Sequence, residues 1–505
     1  MPVVEPVRTA PRLAGRREWA ALSVLILAVV LLSVDSTVLG LAVPALSAAL
    51  GPSAGELLWI ADVYSFALAG LLVLMGGLAD RFGRKRVLLI GTAGFGAASA
   101  LAAFATDPMT LVVARAAQGA AGATLMPSTL SLIRNLFPDA RQRTRAIGLW
   151  SAGASGGAVL GPLVGGLLLE HFWWGSVFLI NVPITAVLLV AGWFLLPESR
   201  NPSPGRLDAV GAAQSILAIL AVVYAIKELV GHGPTAAAGT AVLVGVTAGV
   251  LFVRRQRRIA DPLVDIGLFA NRAFSGALGS QLIALIALTG LLFFFSQYLQ
   301  LVRGHTPLEA GLRELPLMLA SLAVVVLVGP LVVRLGLGRA IGLGLGVAGL
   351  GLLALAGAES LSGYAWLAAA LVVIGLGFGV AFTLSTDAAV SAVEPHRAGT
   401  ASALSETSYE LGAALGVALL GSLQTVLYRA DLPAGVGSGG GGAVRESLAR
   451  AVEVLEPGSS LDLTRESFTW GMQVTAVVAA VMLAVAAATA WRVIPSTAAR
   501  RSAHG

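Results

Sequence analysis

The sequence predicts an all-α integral membrane protein with fourteen transmembrane helices, and three observations carry that reading: composition, the alternation of basic segments, and an internal repeat. Charged residues are 12% and hydrophobic residues 57% of 505 positions, against about 25% charged in an ordinary soluble domain. A helix needs about 20 apolar residues to cross a ~30 Å hydrocarbon core. Fourteen runs qualify, at 19–44, 56–78, 87–105, 109–133, 146–168, 175–196, 208–230, 236–253, 273–299, 309–333, 340–358, 364–390, 399–426 and 467–492.

Basic residues sort by side. With the N-terminus in the cytoplasm, 25 of the 33 fall in alternating inside segments: the N-terminal tail, loops 79–86, 134–145, 197–207, 254–272, 334–339 and 391–398, and the C-terminal tail. Seven fall outside, four of them in one long loop, and Arg115 lies within a helix. Retention of Lys and Arg on the cytoplasmic side requires an even number of spans here and puts both termini inside. The pI near 10.1 therefore reflects membrane orientation, not nucleic acid. The chain has no cysteine, which excludes disulfides and thiol chemistry. Its first apolar run is too long for a signal peptide and is read as a retained helix.

Taken in order, the first run carries Asp35 in VLLSVDSTVLGLAVPAL and the second carries Asp62 in LLWIADVYSFAL. Between the second and third, LMGGLADRFGRKRVLLIG sets a tight charged turn, with Asp80 and Arg84 spaced i,i+4 so that they can pair. The fourth contains Arg115, which must face the bundle interior and either tune a neighbouring acid or form a structural ion pair. A guanidinium cannot itself carry the proton. The fifth is lined by Gly153, Gly157, Gly161, Pro162, Gly165 and Gly166, small residues that let helices approach closely in lipid. The seventh and eighth, 208–230 and 236–253, carry few polar residues and are assigned a peripheral packing role. The tenth holds Glu314, and the thirteenth Glu406 and Glu410. The segment 429–466 reads as an outside loop, with residues 445–455 either a short amphipathic helix or a flexible connection.

Shifting the chain by 253 residues brings Gly76, Leu78, Arg81 and Gly83 onto Gly329, Leu331, Arg334 and Gly336, with Val333 replacing Asp80. At an offset of 255, Gly157, Gly161 and Gly166 fall on Gly412, Gly416 and Gly421. Duplication gives two six-helix halves, and in transporters such halves place the substrate site near the midplane where they meet. The expected organisation is a tail (1–18), an N-terminal bundle (19–198), two inserted helices (199–258), a C-terminal bundle (259–492, including loop 429–466) and a second tail (493–505).

Carboxylates inside apolar runs carry the functional argument, because an ionised group there costs several kcal/mol unless neutralised, paired or facing water. Burial disfavours the charged form of a carboxylate, so such groups are suited to take a proton on one side and release it on the other. Glu406 and Glu410 share one helix face. Together they suit a site that exchanges one proton for a bound cation; the competing role is a hydrogen bond across a helix interface. Glu314 sits near a helix end and is either a site acid or simply exposed. Asp387 reads as a cytoplasmic cap or gate residue. The five histidines, His171, His232, His305, His396 and His504, fall in loops or tails, so no metal site is expected, and no phosphate-binding G-x-x-x-x-G-K-[ST] motif is present.

Taken together, these motifs resemble the fourteen-helix drug:proton antiporter branch of the major facilitator superfamily, across nearly the whole chain. Asp35, Thr37 and Pro44 fit its first-helix pattern, with Gly40 where many members carry Asn. Gly77, Asp80, Arg81, Gly83 and Arg84 fit its loop motif, and Arg115, Gln118 and Gly119 its fourth-helix motif. The fifth-helix glycines and Pro162 match the motif that marks export. YLQLVRGHTPLEAGLRELP and SALSETSYELGAALG look like Qac-type and Lfr-type multidrug efflux pumps.

The resemblance implies a major facilitator fold of two six-helix bundles plus two inserted helices, and a proton-coupled antiporter that exports amphipathic, cationic drugs by alternating access. It implicates Asp35, Asp62, Glu406 and Glu410 in proton coupling, tuned by Arg115. The same acids with Glu314 are implicated in substrate recognition, beside aromatics such as Trp59, Tyr64, Phe293, Tyr298 and Tyr409. No cofactor is expected; the proton gradient drives the cycle. The expected partners are small amphipathic molecules, protons and the bilayer, with the monomer as the working unit in a bacterial cytoplasmic membrane. A dedicated antibiotic exporter shares these motifs, and a multi-pass membrane enzyme or sensor is the remote alternative.

Overall fold

The computed structural model describes residues 13–200, 207–259, 262–361, 363–393, 398–433 and 442–495. Most of both expected tails, His396 and His504, and the glycine run 437–441 lie outside those residues. The first bundle comprises α1 (Arg16–Leu50), α2 (Ala54–Phe82), α3 (Arg84–Ala103), α4 (Pro108–Leu136), α5 (Ala140–His171), and the span formed by α6 (Ser176–Leu179) with α7 (Asn181–Leu195). An inserted hairpin follows, α8 (Ala209–His232) and α9 (Ala236–Gln256). The second bundle comprises α10 (Arg272–Gln297), α11 (Pro307–Ala323), α12 (Val325–Leu335), α13 (Leu337–Ala358), α14 (Tyr364–Ser391), α15 (Ala398–Asp431) and α18 (Ser459–Val493), with the short α16 (Ala443–Glu446) and α17 (Leu448–Val454) before the last span.

Twelve of these helices are long and apolar enough to cross a bilayer, and α11 with α12 makes a thirteenth span. α4, a 29-residue helix carrying Arg115, is long enough to be a fourteenth but falls short of that apolarity, so the expected count of fourteen is compatible with the structure. The expected single helix 309–333 is thus corrected: it bends by 55° between α11 and α12. Pro316 in α11 and Pro330 in α12 each remove a backbone donor.

The repeat is visible in the helix ends. Ser53 caps α2 in a reciprocal box with Glu56, and Thr306 caps α11 in the same box with Glu309, at an offset of 253. The α2–α3 turn at Gly83 (φ 109°) recurs at Gly336 (φ 79°), again 253 residues on. Only glycine accepts that backbone geometry without strain. Helix pairing recurs as well: α1 packs on α5 as α10 packs on α15, and α3 on α4 as α13 on α14. Small residues make those approaches close. A Cβ at Gly157 would sit 3.0 Å from the Val30 carbonyl oxygen, and one at Gly416 2.7 Å from that of Ile286.

Because successive spans alternate in direction, both described ends lie on one face of the molecule. There Ala14 N–H donates to Gln142 at the start of α5, and Gly338 in α13 packs on Ile494 after α18. On the far face Asp107 caps α4. Its carboxylate accepts from the Thr110 hydroxyl (2.6 Å) and amide (2.9 Å), which hold its pKa below the usual carboxylate value.

The two bundles meet toward the far face. A Cβ at Gly166 would lie 2.6 Å from Leu308 Cα, and one at Gly311 3.0 Å from the Pro162 carbonyl carbon. Gln300 Nε2 donates to the Leu41 carbonyl at 3.1 Å. In the expected outside loop, α16 and α17 bury Val444, Leu448 and Ala451, and Tyr428 Oη donates to Val444 O at 2.8 Å. Residues 443–454 therefore form a packed cap over α1 and α18.

The hairpin is peripheral, α8 and α9 being the least buried of the spans, yet it touches both bundles. Its second helix, α9, packs chiefly on α8. Its first helix, α8, lies on both bundles: Val223 clusters with Phe66 of α2 and with Ala414 and Ala418 of α15. Gly70 leaves room for the Ile216 side chain in the same seam.

Candidate functional site

Four helices assemble the first cluster of the site. Asp35 of α1 and Arg115 of α4, both fully buried, form an ion pair with 2.8 Å between Nη1 and Oδ2. Asn181 of α7 donates to Asp35 Oδ1 at 2.7 Å, and Gln118 of α4 donates to Ser99 Oγ of α3 at 2.8 Å. Arg115 also donates to Gln118 Oε1 at 3.2 Å, while its Nε has no partner among the described residues. The guanidinium lies 4.4 Å from the centre of the Tyr64 ring. Gly119 makes that stacking reachable, since a Cβ there would overlap the Tyr64 carbonyl oxygen.

A buried charge is costly unless close partners compensate it. Asp35 has Arg115 and Asn181; Arg115 has one carboxylate, one amide oxygen and an aromatic face. Asn181 and Ser99 went unnoticed in the sequence because a lone amide or hydroxyl in an apolar run has no periodic signature.

The second cluster was also missed. Lys227, among the seven basic residues assigned to the outside, is buried in α8, so Arg115 is not the only basic residue deep in a helix. Its Nζ lies 2.9 and 3.1 Å from the two carboxylate oxygens of Asp62 in α2, and 4.0 Å from the centre of the Trp59 ring. The apolar stem of lysine can run along hydrophobic surface, so its place near a helix end concealed how deep the ammonium sits.

The third cluster lies across the interface. In α15, Glu410 is buried and faces Ser65 of α2, three residues after Asp62. Glu406 sits one turn away on the same helix. Between them Tyr409 packs edge-on against Phe382 of α14 (5.5 Å), which stacks on Phe378 (5.6 Å). Tyr64 links the first and third clusters, being within electrostatic reach of Asp35, Arg115, Glu410 and Tyr409. Glu314 of α11 is buried apart from these, near Ser296 of α10, with its Oε1 unpartnered among the described residues.

Other residues singled out in the sequence fall elsewhere. Phe293 packs on Phe294 (5.0 Å) beside a small far-face cavity lined by Leu58, Gln424 and Phe468. Tyr298 is fully buried and holds the far-face ends together: its hydroxyl donates to Glu359 O (2.7 Å) and accepts from Arg303 Nε (2.6 Å). The Glu359 carboxylate, also overlooked in the sequence, is buried there with neither oxygen hydrogen-bonded among the described residues.

At the opposite face Arg84 Nε donates to Asp80 Oδ1 at 2.9 Å. Arg84 N–H also donates to Ser199 O (2.8 Å), and Lys85 N–H to Glu198 (3.2 Å). The loop motif is therefore tied to the end of α7 within its own bundle. Gly153, Gly157, Gly161 and Gly165 all face α1, while Gly166 faces α11. Gly77 packs on Leu207 and Arg81 closes the last turn of α2. Asp387 stands one turn from the end of α14, with a 3.4 Å contact from Ser391 Oγ.

Two bundles with twelve or thirteen spans long and apolar enough to cross a bilayer, and acids buried within them, are the features of a multi-pass membrane transporter. The family model described as Major Facilitator Superfamily matches residues 25–417, and the chain belongs to that superfamily. It is 46% identical over 495 residues to the multidrug efflux pump LfrA of Mycolicibacterium smegmatis, covering 94% of this chain and 95% of the relative. It is 37% identical to the methyl viologen resistance protein SmvA of Salmonella typhimurium (94% and 98% covered), and 34% identical to a probable actinorhodin transporter of Streptomyces coelicolor (87% and 78%). Among solved structures, a bacterial homologue of the lysosomal transporter Spinster superposes with a TM-score of 0.65 at 19% identity, over 95% of this chain and 97% of that one. That likeness speaks to the fold.

Proposed function

We propose that the protein is a proton-coupled antiporter that exports amphipathic organic cations from a bacterial cell, acting as a monomer in the cytoplasmic membrane with both termini inside. One observation carries the reading. Five buried or half-buried acids, Asp35, Asp62, Glu314, Glu406 and Glu410, stand within the spans of the two bundles, against two buried bases, Arg115 and Lys227. Each base is committed to one acid, so Glu314, Glu406 and Glu410 have no basic partner among the described residues. A site with surplus carboxylates accepts protons or a cationic guest, and the two compete.

In this scheme a proton entering from outside neutralises the Glu406–Glu410 pair and releases the cation outward. Asp35 couples its own protonation to the bundle positions through Arg115 and Tyr64. Asp80 and Arg84 stabilise the inner turn, and Glu314 serves near the outward mouth. Each inward proton supplies about 2.3 kcal/mol per 100 mV of membrane potential, enough for one or two to sustain a gradient. The names of LfrA and SmvA support a toxic-compound substrate; the actinorhodin relative supports a second reading, a dedicated exporter of an antibiotic made by the cell.

The test is reconstitution into liposomes with an imposed pH difference and a panel of dyes, antiseptics and antibiotics. Uphill movement of several unrelated cations that collapses with a protonophore is the expected result. Movement of one antibiotic alone selects the second reading, and transport indifferent to the pH difference for every compound overturns both.

A further inference from the structure

We propose that Lys227 is a tethered cation filling an organic-cation subsite made by Trp59 and Asp62, and that a substrate reaching this subsite displaces it. The inference rests on the cationic-substrate reading and extends it to the inserted hairpin. The ammonium sits 2.9 and 3.1 Å from the Asp62 oxygens and 4.0 Å from the centre of the Trp59 ring. A carboxylate and an aromatic face converging on one nitrogen are the groups that recognise an alkylated ammonium ligand. Here the chain supplies the ligand itself.

The position of α8 makes that ligand displaceable in step with transport. Trp59 and Asp62 are one helical turn apart on α2, and the same patch packs on Leu220 and Val223 of α8 and on Leu411, Ala414 and Leu415 of α15. The hairpin thus rests against both bundles at their seam, so a rearrangement between α2 and α15 moves α8 relative to at least one of them. At the hairpin's other end its two helices are tied to each other, Asp208 at the start of α8 accepting from Arg255 Nε and Gln256 Nε2 at the end of α9, each at 2.7 Å.

The second bundle provides an internal comparison. Glu314 lies at the level of Asp62 in the repeat, one residue out of the 253-residue register, and has no tethered cation among the described residues. One acid of the related pair is open to a guest and the other is held by Lys227. The hairpin, present once between the two halves, creates that asymmetry.

The composition offers a direct probe, since Lys85 and Lys227 are the only lysines in the chain. In full-length protein carrying ε-labelled lysine, magnetic resonance gives two signals, assigned with a Lys85→Arg variant. On titration with ethidium the Lys227 signal is expected to move to the position of a solvated ammonium and to saturate with binding measured by ethidium fluorescence. Ethidium binding that saturates while the Lys227 signal stays fixed overturns the proposal.

Affinities provide an independent arm. Lys227→Met is expected to bind ethidium about tenfold more tightly, and the gain is expected to vanish in Lys227→Met, Asp62→Asn. Unchanged affinity in the single variant, or a gain that survives loss of Asp62, assigns the pair to helix packing and overturns the proposal. Absence of any cation binding to the unmodified protein refutes the cationic-substrate reading itself, and is thereby distinguished from a failure confined to Lys227.

Discussion

Arg115 and Asp35 meet at 2.8 Å with neither side chain open to solvent, 80 residues apart in the chain. A pair so placed is held by its neighbours as much as by its own attraction, because desolvating two charges offsets most of the Coulomb gain. Asn181 and Gln118 supply the remaining hydrogen bonds. Removing one partner strands the other. Asp35→Asn is expected to lower stability by about 3–5 kcal/mol and to abolish proton-dependent exchange. Adding Arg115→Gln should recover most of the stability and none of the coupling. Thermal unfolding of purified variants and pH-jump exchange in vesicles report the two effects separately; proton-dependent exchange retained by Asp35→Asn would remove Asp35 from the coupling scheme.

The Glu406–Glu410 pair makes a different demand. Its two carboxylates share a face of α15 with Tyr409 and have no base beside them among the described residues, so replacing both with Gln costs little in packing. The Glu406→Gln, Glu410→Gln double variant is expected to fold normally and to lose at least tenfold in pH-driven ethidium efflux from everted vesicles. Undiminished coupled transport by this variant would reassign the pair to a structural hydrogen bond.

Much of this architecture is legible in the sequence because lipid imposes long apolar runs and glycine positions record close helix approaches. The turns at Gly83 and Gly336 are readable for the same reason: each needs a positive φ, and each is followed directly by a new helix. Three features were hidden for identifiable physical reasons. The break between α11 and α12 leaves hydropathy unchanged, since a bend alters direction and not composition. Asn181 and Ser99 acquire meaning only from Asp35, which arrives from another helix. Lys227 was misassigned because charge alternation ranks residues by distance from a helix end, whereas its burial depends on α8 lying in the α2–α15 seam.

Gly166 tests the closure of the far face. A Cβ there would press on the backbone of Leu308, which cannot yield as a flexible side chain would. Gly166→Leu is expected to leave folding and ethidium binding within about twofold of the parent while cutting transport by at least tenfold, because the contact forms in only one arrangement of the bundles. Binding and transport reduced equally would place the effect on folding instead.

Asp80 and Arg84 provide the last test. The pair bridges the end of α2 and the start of α3, with Arg84 Nη2 2.8 Å from Asp80 Oδ1, across the Gly83 turn and inside one bundle. Partly exposed to solvent, it contributes about 0.3–1 kcal/mol, too little to decide folding but enough to shift two balanced conformations severalfold. Asp80→Asn is expected to change the ratio of inward- to outward-open molecules about two- to fivefold at unchanged thermal stability, and Arg84→Gln to change it in the same direction. The absence of native cysteine allows this ratio to be read by crosslinking pairs introduced on the two faces. A ratio unmoved by either substitution would confine Asp80 and Arg84 to shaping the turn.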